Sequence, residues 1–598
     1  MFQTFDSSSS PDQGPPRLAA LRTELEKEGL DGFLVPRADA HQGEYVADCD
    51  ARLEWLTGFT GSAGFCAALR DRAGVFVDGR YRVQVKVQVA DEFTPVDWPE
   101  VQLGDWLKDA LPDGGKVGFD PWLHTLGEIE KLQKRLKGTG IELVEVENLV
   151  DRIWADRPAR PAEPVTAFPK EFAGEGDESK RGRIAAILTA EGQKTAVLTL
   201  PDSICWLLNV RGADLPCVPV TQAFAILKSD GTVELFSDPE KFAGLGPDPA
   251  IALKHWDDFA PALAALEGPV RVDRASAPLA VTRALQAAGV QIAYADDPCI
   301  LPKACKNETE IAATKTAHLR DAGAMCEFLA WLAEEAPKGG LTEIDVVTAL
   351  EGFRRATNAL QDISFETISG AGPNGAIVHY RVTEETNRAV NPGELLLVDS
   401  GGQYVDGTTD ITRTIAVGAP TDEQKTCFTQ VLKGMIAISR ARWPEGRAGR
   451  DLDVLARIAL WQAGRDYDHG TGHGVGLYLS VHEGPQRLAR TGEVELKPGM
   501  ILSNEPGYYR EGEFGIRIEN LVVVKDAGDL PGGDAKRKML DFETITWVPI
   551  DLALVASDML TQDERDWLNA YHAEVSEKVG ARLSDSARAW LAHATRMI

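Results

Sequence analysis

The 598-residue chain is too long for one hydrophobic core, so its length predicts about two to four domains. With 44% hydrophobic and 26% charged residues it has the composition of a folded globular protein. A formal charge of −28 argues against nucleic acid or an anionic membrane as the main partner.

The eight cysteines are scattered without the spacing of a zinc site or a disulfide framework, and are expected to be free, buried thiols in a reducing compartment. The start, Met1-Phe-Gln-Thr-Phe-Asp-Ser-Ser-Ser-Ser-Pro11, lacks a basic end followed by an apolar core, so no secretory signal is expected. No window has the apolar length of a membrane span. These features predict a cytoplasmic protein.

Residues 1–16 are polar and rich in Ser and Pro, and are expected to be a disordered lead-in. From Arg17 to Gly29 the apolar spacing predicts an amphipathic helix with a glycine stop. Gly32–Pro36 reads as a buried strand, Leu53–Gly64 as a helical turn entering a Gly-rich loop, and Phe65–Leu69 and Gly74–Asp78 as strands before a helix from Gly79. The pattern recurs. Arg183–Gly192 parallels the first helix, Thr195–Leu200 its strand, Ile204–Asn209 the segment around Trp55, and Val233–Asp238 the strand at Val75–Asp78. The prolines of Asp156–Pro164 suit an exposed linker between the two copies. Two related α/β domains are therefore expected, at 17–155 and 165–300.

A third domain, 303–598, opens with a long helix for which Asn307 is the expected N-cap, and Thr342 starts another. Strands and Gly-rich turns then alternate to about residue 550. Thr561–Met597 reads as helical, able to cap the domain or to pair with another subunit.

The chemistry concentrates between His379 and Glu519. Asp399 ends the apolar strand from Glu394, and Asp410 follows a polar turn containing Gly407, so two adjacent strands would present both carboxylates to one point. Across Gly515–Val524, period-two alternation sends Arg517 and Glu519 to one face. Glu505 precedes the Pro506-Gly507 turn, and His473 lies in a Gly-rich loop that permits close backbone approach. Singly, each has an ordinary reading as a solvated acid, a hydrogen-bonded histidine or a turn. Gly470, Gly472, Gly474 and Gly476 match neither a phosphate loop nor a dinucleotide fingerprint. Together, however, four carboxylates in apolar sequence are costly to bury without compensating cations. Two fairly hard divalent ions such as Mn²⁺, Co²⁺ or Zn²⁺ suit this set better than one structural zinc, and leave charge for a bridging hydroxide. That is hydrolase chemistry.

In this order, Asp399, Asp410, His473, Glu505 and Glu519 resemble the ligand set of the pita-bread dinuclear metallopeptidases. The motifs Gly372-Pro-Asn-Gly-Ala-Ile-Val-His379-Tyr, Val398-Asp-Ser-Gly-Gly-Gln-Tyr404, His469-Gly-Thr-Gly-His-Gly-Val-Gly476 and Val481-His-Glu-Gly-Pro485 resemble the three-domain aminopeptidase P family of the cytosolic type. So do Trp567-Leu-Asn-Ala-Tyr-His572 in the tail and Gly58–Gly64 and Asp78-Gly-Arg-Tyr81 near the start. The resemblance covers nearly the whole chain. It departs at Asp468, where a glycine is usual, at Ser480, where an asparagine is usual, and at Val382-Thr383, where the family has a proline.

The resemblance implies two creatinase-like N-terminal domains before a pita-bread catalytic domain. It makes those five residues metal ligands, with Asp410 and Glu519 bridging and Glu505 taking the proton from the attacking water. His379 and His482 would line the substrate pocket beside His473, holding the scissile carbonyl or the proline end. His469 and Arg517 would orient a ligand and balance charge from behind. Arg80 resembles an arginine that reaches substrate, the competing reading being a helix cap. The implied activity is removal of an N-terminal residue that precedes proline, with Mn²⁺ the first choice of metal and a homodimer the implied assembly. The alternatives are a prolidase restricted to dipeptides, a methionine aminopeptidase, a metal-free creatinase-type hydrolase, and a non-catalytic binding module. The intact ligand set counts against the last two, and the leading domains against the others.

Overall fold

The computed structural model describes residues 1–7, 10–534 and 536–598. The chain forms two compact units, Ser8–Lys303 and Met1–Ser7 with Ala304–Ile598. Both mix helices and strands.

The N-terminal unit holds two six-stranded sheets of the same topology. In the first, Gly32–Pro36 lies between antiparallel Phe65–Leu69 and parallel Gly115–Phe119. Ala73–Val77 and Thr94–Asp97 extend one side, and Ile141–Glu145 the other. In the second, Thr195–Leu198 lies between antiparallel Phe224–Lys228 and parallel Val270–Val272. Val233–Phe236, Ile251–Lys254 and Ile292–Tyr294 take the corresponding outer places with the same pairing senses. The weak sequence repeat is thus a repeat of fold.

Helices cover both faces of the first sheet, which is why its strands read as unbroken apolar runs. Phe33 and Val35 pack with Leu18, Leu21 and Leu25 of the first helix. Leu34 packs on the opposite face with Leu107, Ile129 and Leu136. The two copies share contacts within their unit: Gln222 Nε2 donates to Asp39 Oδ2 at 3.0 Å, and the Leu279 amide to the His124 carbonyl at 2.8 Å. Past Gly79 the chain turns, and only Val85–Gln88 is helical.

In the C-terminal unit the expected helix starts carry reciprocal caps. Asn307 pairs with Glu310 at the head of Glu308–Glu335, and Thr342 with Asp345 at the head of Glu343–Arg355. A three-stranded sheet orders Ile368–Ala371, Leu395–Ser400 and Ile411–Ala416. A six-stranded sheet runs Arg442–Pro444, Met539–Thr544, Asn520–Asp526, Ile501–Asn504, Gly472–Gly474 and Glu483–Leu488. The C-terminal helices Gln562–Val579 and Asp585–Ala594 cap this core, with Leu568, Tyr571, Val575 and Leu591 buried in it. Arg413 fastens the tail, donating to the carbonyls of Val548 and Pro549 and to Tyr571 Oη.

One expectation is corrected. The described part of the lead-in is ordered: Gln3 is buried, and its side-chain amide exchanges hydrogen bonds with the main chain of Thr367. The first helix already begins at Gly14, with prolines in its first turn. Composition misleads here because Gln and Phe, interleaved with Ser and Asp, find partners far along the chain. Among the described residues, no helix is long and apolar enough to cross a membrane.

Candidate metal centre

Asp399 lies in an antiparallel ladder, and Asp410 directly precedes its second strand. Leu395–Ser400 pairs with Ile411–Ala416, setting Asp399 opposite Thr412 and Ser400 opposite Ile411. Between them a small hairpin pairs Gln403 with Thr408. The long helix grips this hairpin from behind. Arg320 forks onto Asp406 with two 2.8 Å bonds, and Tyr404 Oη donates to Asp321 Oδ1 at 2.7 Å. Arg354 holds both oxygens of Asp321 and reaches the Ser400 carbonyl.

His473 stands in the short strand Gly472–Gly474, beside Ile501–Asn504. A Cβ on Gly472 would lie 1.9 Å from the Ser503 carbonyl, so only glycine permits this approach. Ser503 Oγ accepts from the His473 amide at 2.9 Å and donates to Glu505 Oε1 at 3.2 Å, tying the two candidates together. His473 Nδ1 lies 2.9 Å from the Gly474 carbonyl, a group that only accepts. Nδ1 therefore carries a proton, and Nε2 faces Asp410 Oδ2 at 3.5 Å and Glu505 Oε1 at 3.4 Å.

The alternation expected across Gly515–Val524 breaks. Phe514–Arg517 and Asn520–Asp526 are separate strands, with Ile518 and Glu519 between them. The Glu519 amide donates to the Thr412 carbonyl and the Ile518 amide to the Pro506 carbonyl, so the break docks Glu519 against the aspartate ladder. Arg517 and Glu519 still meet, through Thr412. Its hydroxyl accepts from Arg517 Nε at 3.2 Å and donates to Glu519 Oε2 at 2.8 Å.

The electrostatics of this cluster are severe. Asp399, Asp410 and Glu519 are 8%, 4% and 1% exposed, and the cation in contact is Arg517, whose Nη2 lies 2.6 Å from Asp399 Oδ2. Burial pushes the Asp399 carboxyl above the usual range, Arg517 opposing and Asp410 adding to the rise. Burial likewise raises Glu505, against the pull of His473, and raises Glu519 further with repulsion from Asp410 and Glu505. Burial disfavours a charged His473, yet Asp410 and Glu505 lift its pKa to about 9. Asp399 Oδ1 and Glu519 Oε1 are buried with no hydrogen-bond partner among the described residues. Asp410, His473 and Glu519 each offer a ligand atom within 4.8 Å of the others. Orphaned oxygens, crowded acids and one imidazole are the donor set of first-row divalent ions, so the residues fit a metal centre.

The remaining candidates sit around it. His482 is half-buried, its ring edge-on to His473 with centroids 4.3 Å apart. Glu483, next to it, is buried in a pair with Lys306. His379 is half-buried just past the turn Gly372–Ala376, and its neighbour Tyr380 donates to Glu343 Oε2 at 2.9 Å. His469 Nδ1 meets the Gly470 carbonyl at 2.7 Å, leaving Nε2 to accept from Tyr509 Oη at 2.8 Å. Tyr509 Oη in turn accepts from Arg517 Nη1 at 2.7 Å. A hydrogen-bonded chain thus runs His469–Tyr509–Arg517–Asp399. Arg80 belongs to the N-terminal unit, where it forks onto Asp78 at 3.0 and 2.7 Å.

Sequence reasoning passed over Thr412, Ser503 and Tyr509. Period two from Asp410 marks Thr412, and period two from Glu505 marks Ser503. Tyr509 lies two residues from Gly507, the cross-strand partner of Arg517, and so shares its face.

Comparison with known proteins identifies the family. Residues 312–526 match Metallopeptidase family M24, and 538–598 match the C-terminal region of peptidase M24. Residues 17–153 and 156–310 each match the Creatinase/Prolidase N-terminal domain. Aminopeptidase P2 of Arabidopsis thaliana is 39% identical over 95% of this chain and 86% of its own length. A probable Xaa-Pro aminopeptidase P of Talaromyces marneffei is 38% identical over 96% and 90%. The crystal structure of an X-prolyl aminopeptidase from Caenorhabditis elegans, described as a cytosolic enzyme with a di-nuclear active site, superposes with a TM-score of 0.92. It is 33% identical, covering 98% of this chain and 99% of that one. The fold is that of a metallopeptidase, and the chain belongs to metallopeptidase family M24. The members that it matches from end to end are the Xaa-Pro aminopeptidases P.

Burial pushes the Tyr509 hydroxyl up to about 12, with Arg517 opposing, so it stays a neutral donor at pH 7. Tyr509→Phe keeps the ring and removes the hydroxyl that bonds Arg517 Nη1 and His469 Nε2. It is expected to weaken Mn²⁺ binding by about 10–100-fold in calorimetric titration. An unchanged affinity would show that the chain behind Asp399 does not tune the centre.

Proposed function

We propose that this chain hydrolyses the bond between the first residue of a peptide and a proline in the second position. Asp399, Asp410, His473, Glu505 and Glu519 would hold two divalent metal ions, Mn²⁺ first among them, with Asp410 and Glu519 shared between both. The observation that carries this reading is the pair of orphaned oxygens, Asp399 Oδ1 and Glu519 Oε1, in a cluster of buried acids. When bound, such a pair supplies a bridging hydroxide near neutral pH and polarises the scissile carbonyl.

The protein's own residues do the rest. Glu505 takes the proton from the attacking water at its carboxylate, with Ser503 Oγ on Oε1 fixing its orientation. His482, beside His473, holds the scissile carbonyl or the proline end together with His379. Arg517 orients Asp399 and is itself held by Tyr509 and Thr412. Proline makes the scissile amide tertiary and leaves it no N–H, so the pocket recognises ring shape rather than a donor.

The same reading places the enzyme in the cytoplasm as a homodimer. Thiols outside any disulfide support a reducing compartment: among the described residues no two cysteines are joined, and seven of the eight are buried. For assembly, the helix Gly449–Trp461 exposes Val454, Ile458 and Trp461, an apolar stripe at helical spacing that suits a second copy. Sedimentation velocity should show a dimer for the parent chain and a monomer for Trp461→Glu; equal sedimentation of the two would exclude this face.

Activity is tested on chelator-treated protein with Mn²⁺ added back. Xaa-Pro-Yaa tripeptides should lose their first residue, while an Xaa-Pro dipeptide and Met-Ala-Yaa remain intact, and Asp410→Ala should abolish turnover. Cleavage of the dipeptide alone would make the enzyme a prolidase. Failure with every divalent ion would refute the hydrolase reading and favour a binding role.

A further inference from the structure

His379 sits in a stretch with little structure of its own. Between the turn Gly372–Ala376 and the strand Leu395–Ser400 the chain forms no helix or strand longer than a bridge. No proline fixes the backbone between Tyr380 and Glu384. Irregular backbone of this kind opens easily unless other parts of the fold hold it.

Besides bonds from its own domain, such as Tyr380 Oη to Glu343 Oε2 and Arg381 Nε to Glu366 Oε2 at 2.6 Å, the segment Phe2–Asp6 holds it. The Gln3 side chain accepts from the Thr367 amide at 2.8 Å and donates to the Thr367 carbonyl at 3.3 Å, reproducing a strand pairing with one side chain. The Phe2 and Gln3 amides donate to the two oxygens of Glu351 at 2.8 and 3.4 Å. Arg381 reaches back with Nη1 to the Asp6 carbonyl at 2.9 Å and Nη2 to the Thr4 carbonyl at 3.1 Å. The Glu384 amide donates to the Phe5 carbonyl at 2.9 Å. Between these bonds Phe5 packs against the cluster of Val347, Ile368, Tyr380, Val382 and Leu397.

Two features set this apart from a terminus that merely lies on a surface. Its contacts bracket His379, touching Thr367 and Ile368 on one side and Tyr380, Arg381, Val382 and Glu384 on the other. They also reach the aspartate ladder, since Ile368 pairs with Asp399 and Leu397 lies on the same strand. Two of the carbonyls in the set, of Thr4 and Asp6, take their bonds from Arg381, two residues from His379.

We propose that Gln3–Asp6 is a positioning strap, which fixes the His379 loop in the geometry that productive binding of substrate requires. The proposal rests on the assignment of His379 to the substrate pocket made above. The strap touches none of the five candidate metal ligands directly, so its removal should separate catalysis from metal binding. It also makes activity sensitive to cleavage within residues 1–7 or to their displacement.

The test compares the full chain with one lacking residues 1–7, both supplied with Mn²⁺. We expect kcat/KM on an Xaa-Pro tripeptide to fall by roughly 10–100-fold, with Mn²⁺ stoichiometry and affinity unchanged. Hydrogen exchange at Tyr380–Glu384 should rise in parallel. A synthetic heptapeptide of sequence Met1–Ser7 should restore both in a saturable way, and the same peptide with Gln3→Ala should not. Its second residue is phenylalanine, so it is not a substrate of the proposed kind. Within the full chain, Asp6→Ala should keep the parent rate, because only its carbonyl is used. The proposal is overturned if exchange at Tyr380–Glu384 is the same with and without residues 1–7. It is equally overturned if kcat/KM is unchanged, or if activity falls only in step with lost Mn²⁺. A full chain that cleaves no Xaa-Pro peptide would refute the functional reading alone, and the exchange measurement would then decide the strap.

Discussion

Carboxylates packed below solvent with too few cations are the constraint on which the rest of this fold turns. Asp399, Asp410 and Glu519 are buried, Glu505 faces the same space, and Arg517 is the guanidinium in direct contact. Uncompensated ions of this kind cost several kcal/mol each, roughly the whole net stability of a domain when summed. Asp399, Glu505 and Glu519 answer with raised pKa values, His473 with a pKa of about 9, and two carboxylate oxygens with no partner among the described residues. A dinuclear metal centre resolves all of these at once. The clustered acids, which would be a defect in an inert core, are the donor set expected of such a centre.

The surrounding architecture serves to keep those groups at their stations. Of the candidate ligands, Asp399 and His473 stand in strands, and Asp410, Glu505 and Glu519 each directly adjoin a strand end, so their positions follow from the sheets beside them. The Arg354–Asp321–Tyr404 group and the Arg320–Asp406 fork clamp the hairpin between the two aspartates. Thr412 couples Arg517 to Glu519, while on the neighbouring residue Arg413 fastens the same strand to the C-terminal tail. His469 and Tyr509 extend the support behind Asp399. The candidate substrate-pocket residue His379, outside this frame, is held by less regular backbone, and there a segment remote in sequence supplies order.

Much of this was legible in the sequence, for reasons that can be stated residue by residue. Gly29, Asn307 and Thr342 mark helix ends through local chemistry, and the doubled pattern of helix, strand and Trp-containing turn exposes the repeated α/β domain. Asp399 and Asp410 stand out because acids at the ends of apolar strands need a reason. Other features depend on contacts between distant residues. The break at Ile518–Glu519 is set by bonds to Pro506 and Thr412, which no alternation pattern contains. Tyr509 and Ser503 look like ordinary strand residues until the pairing partner of each is known. The lead-in has a disordered composition, yet the partners of Gln3 and Phe5 lie more than three hundred residues away. The division of the tail between capping and pairing was likewise open until Leu568 and Tyr571 were found in the core.

The most direct measurement is the number of ions bound per chain, by elemental analysis of chelated protein re-equilibrated with Mn²⁺ and freed of excess, with the melting temperature of both forms. The account predicts two ions per chain and a higher melting temperature for the loaded form, about 2.7 kcal/mol of added stability at a hundredfold excess over Kd for each site. Glu519→Gln should bind fewer. A chain that takes up no ion and melts unchanged would mean that the buried acids are balanced by protons alone, and would contradict the metal centre.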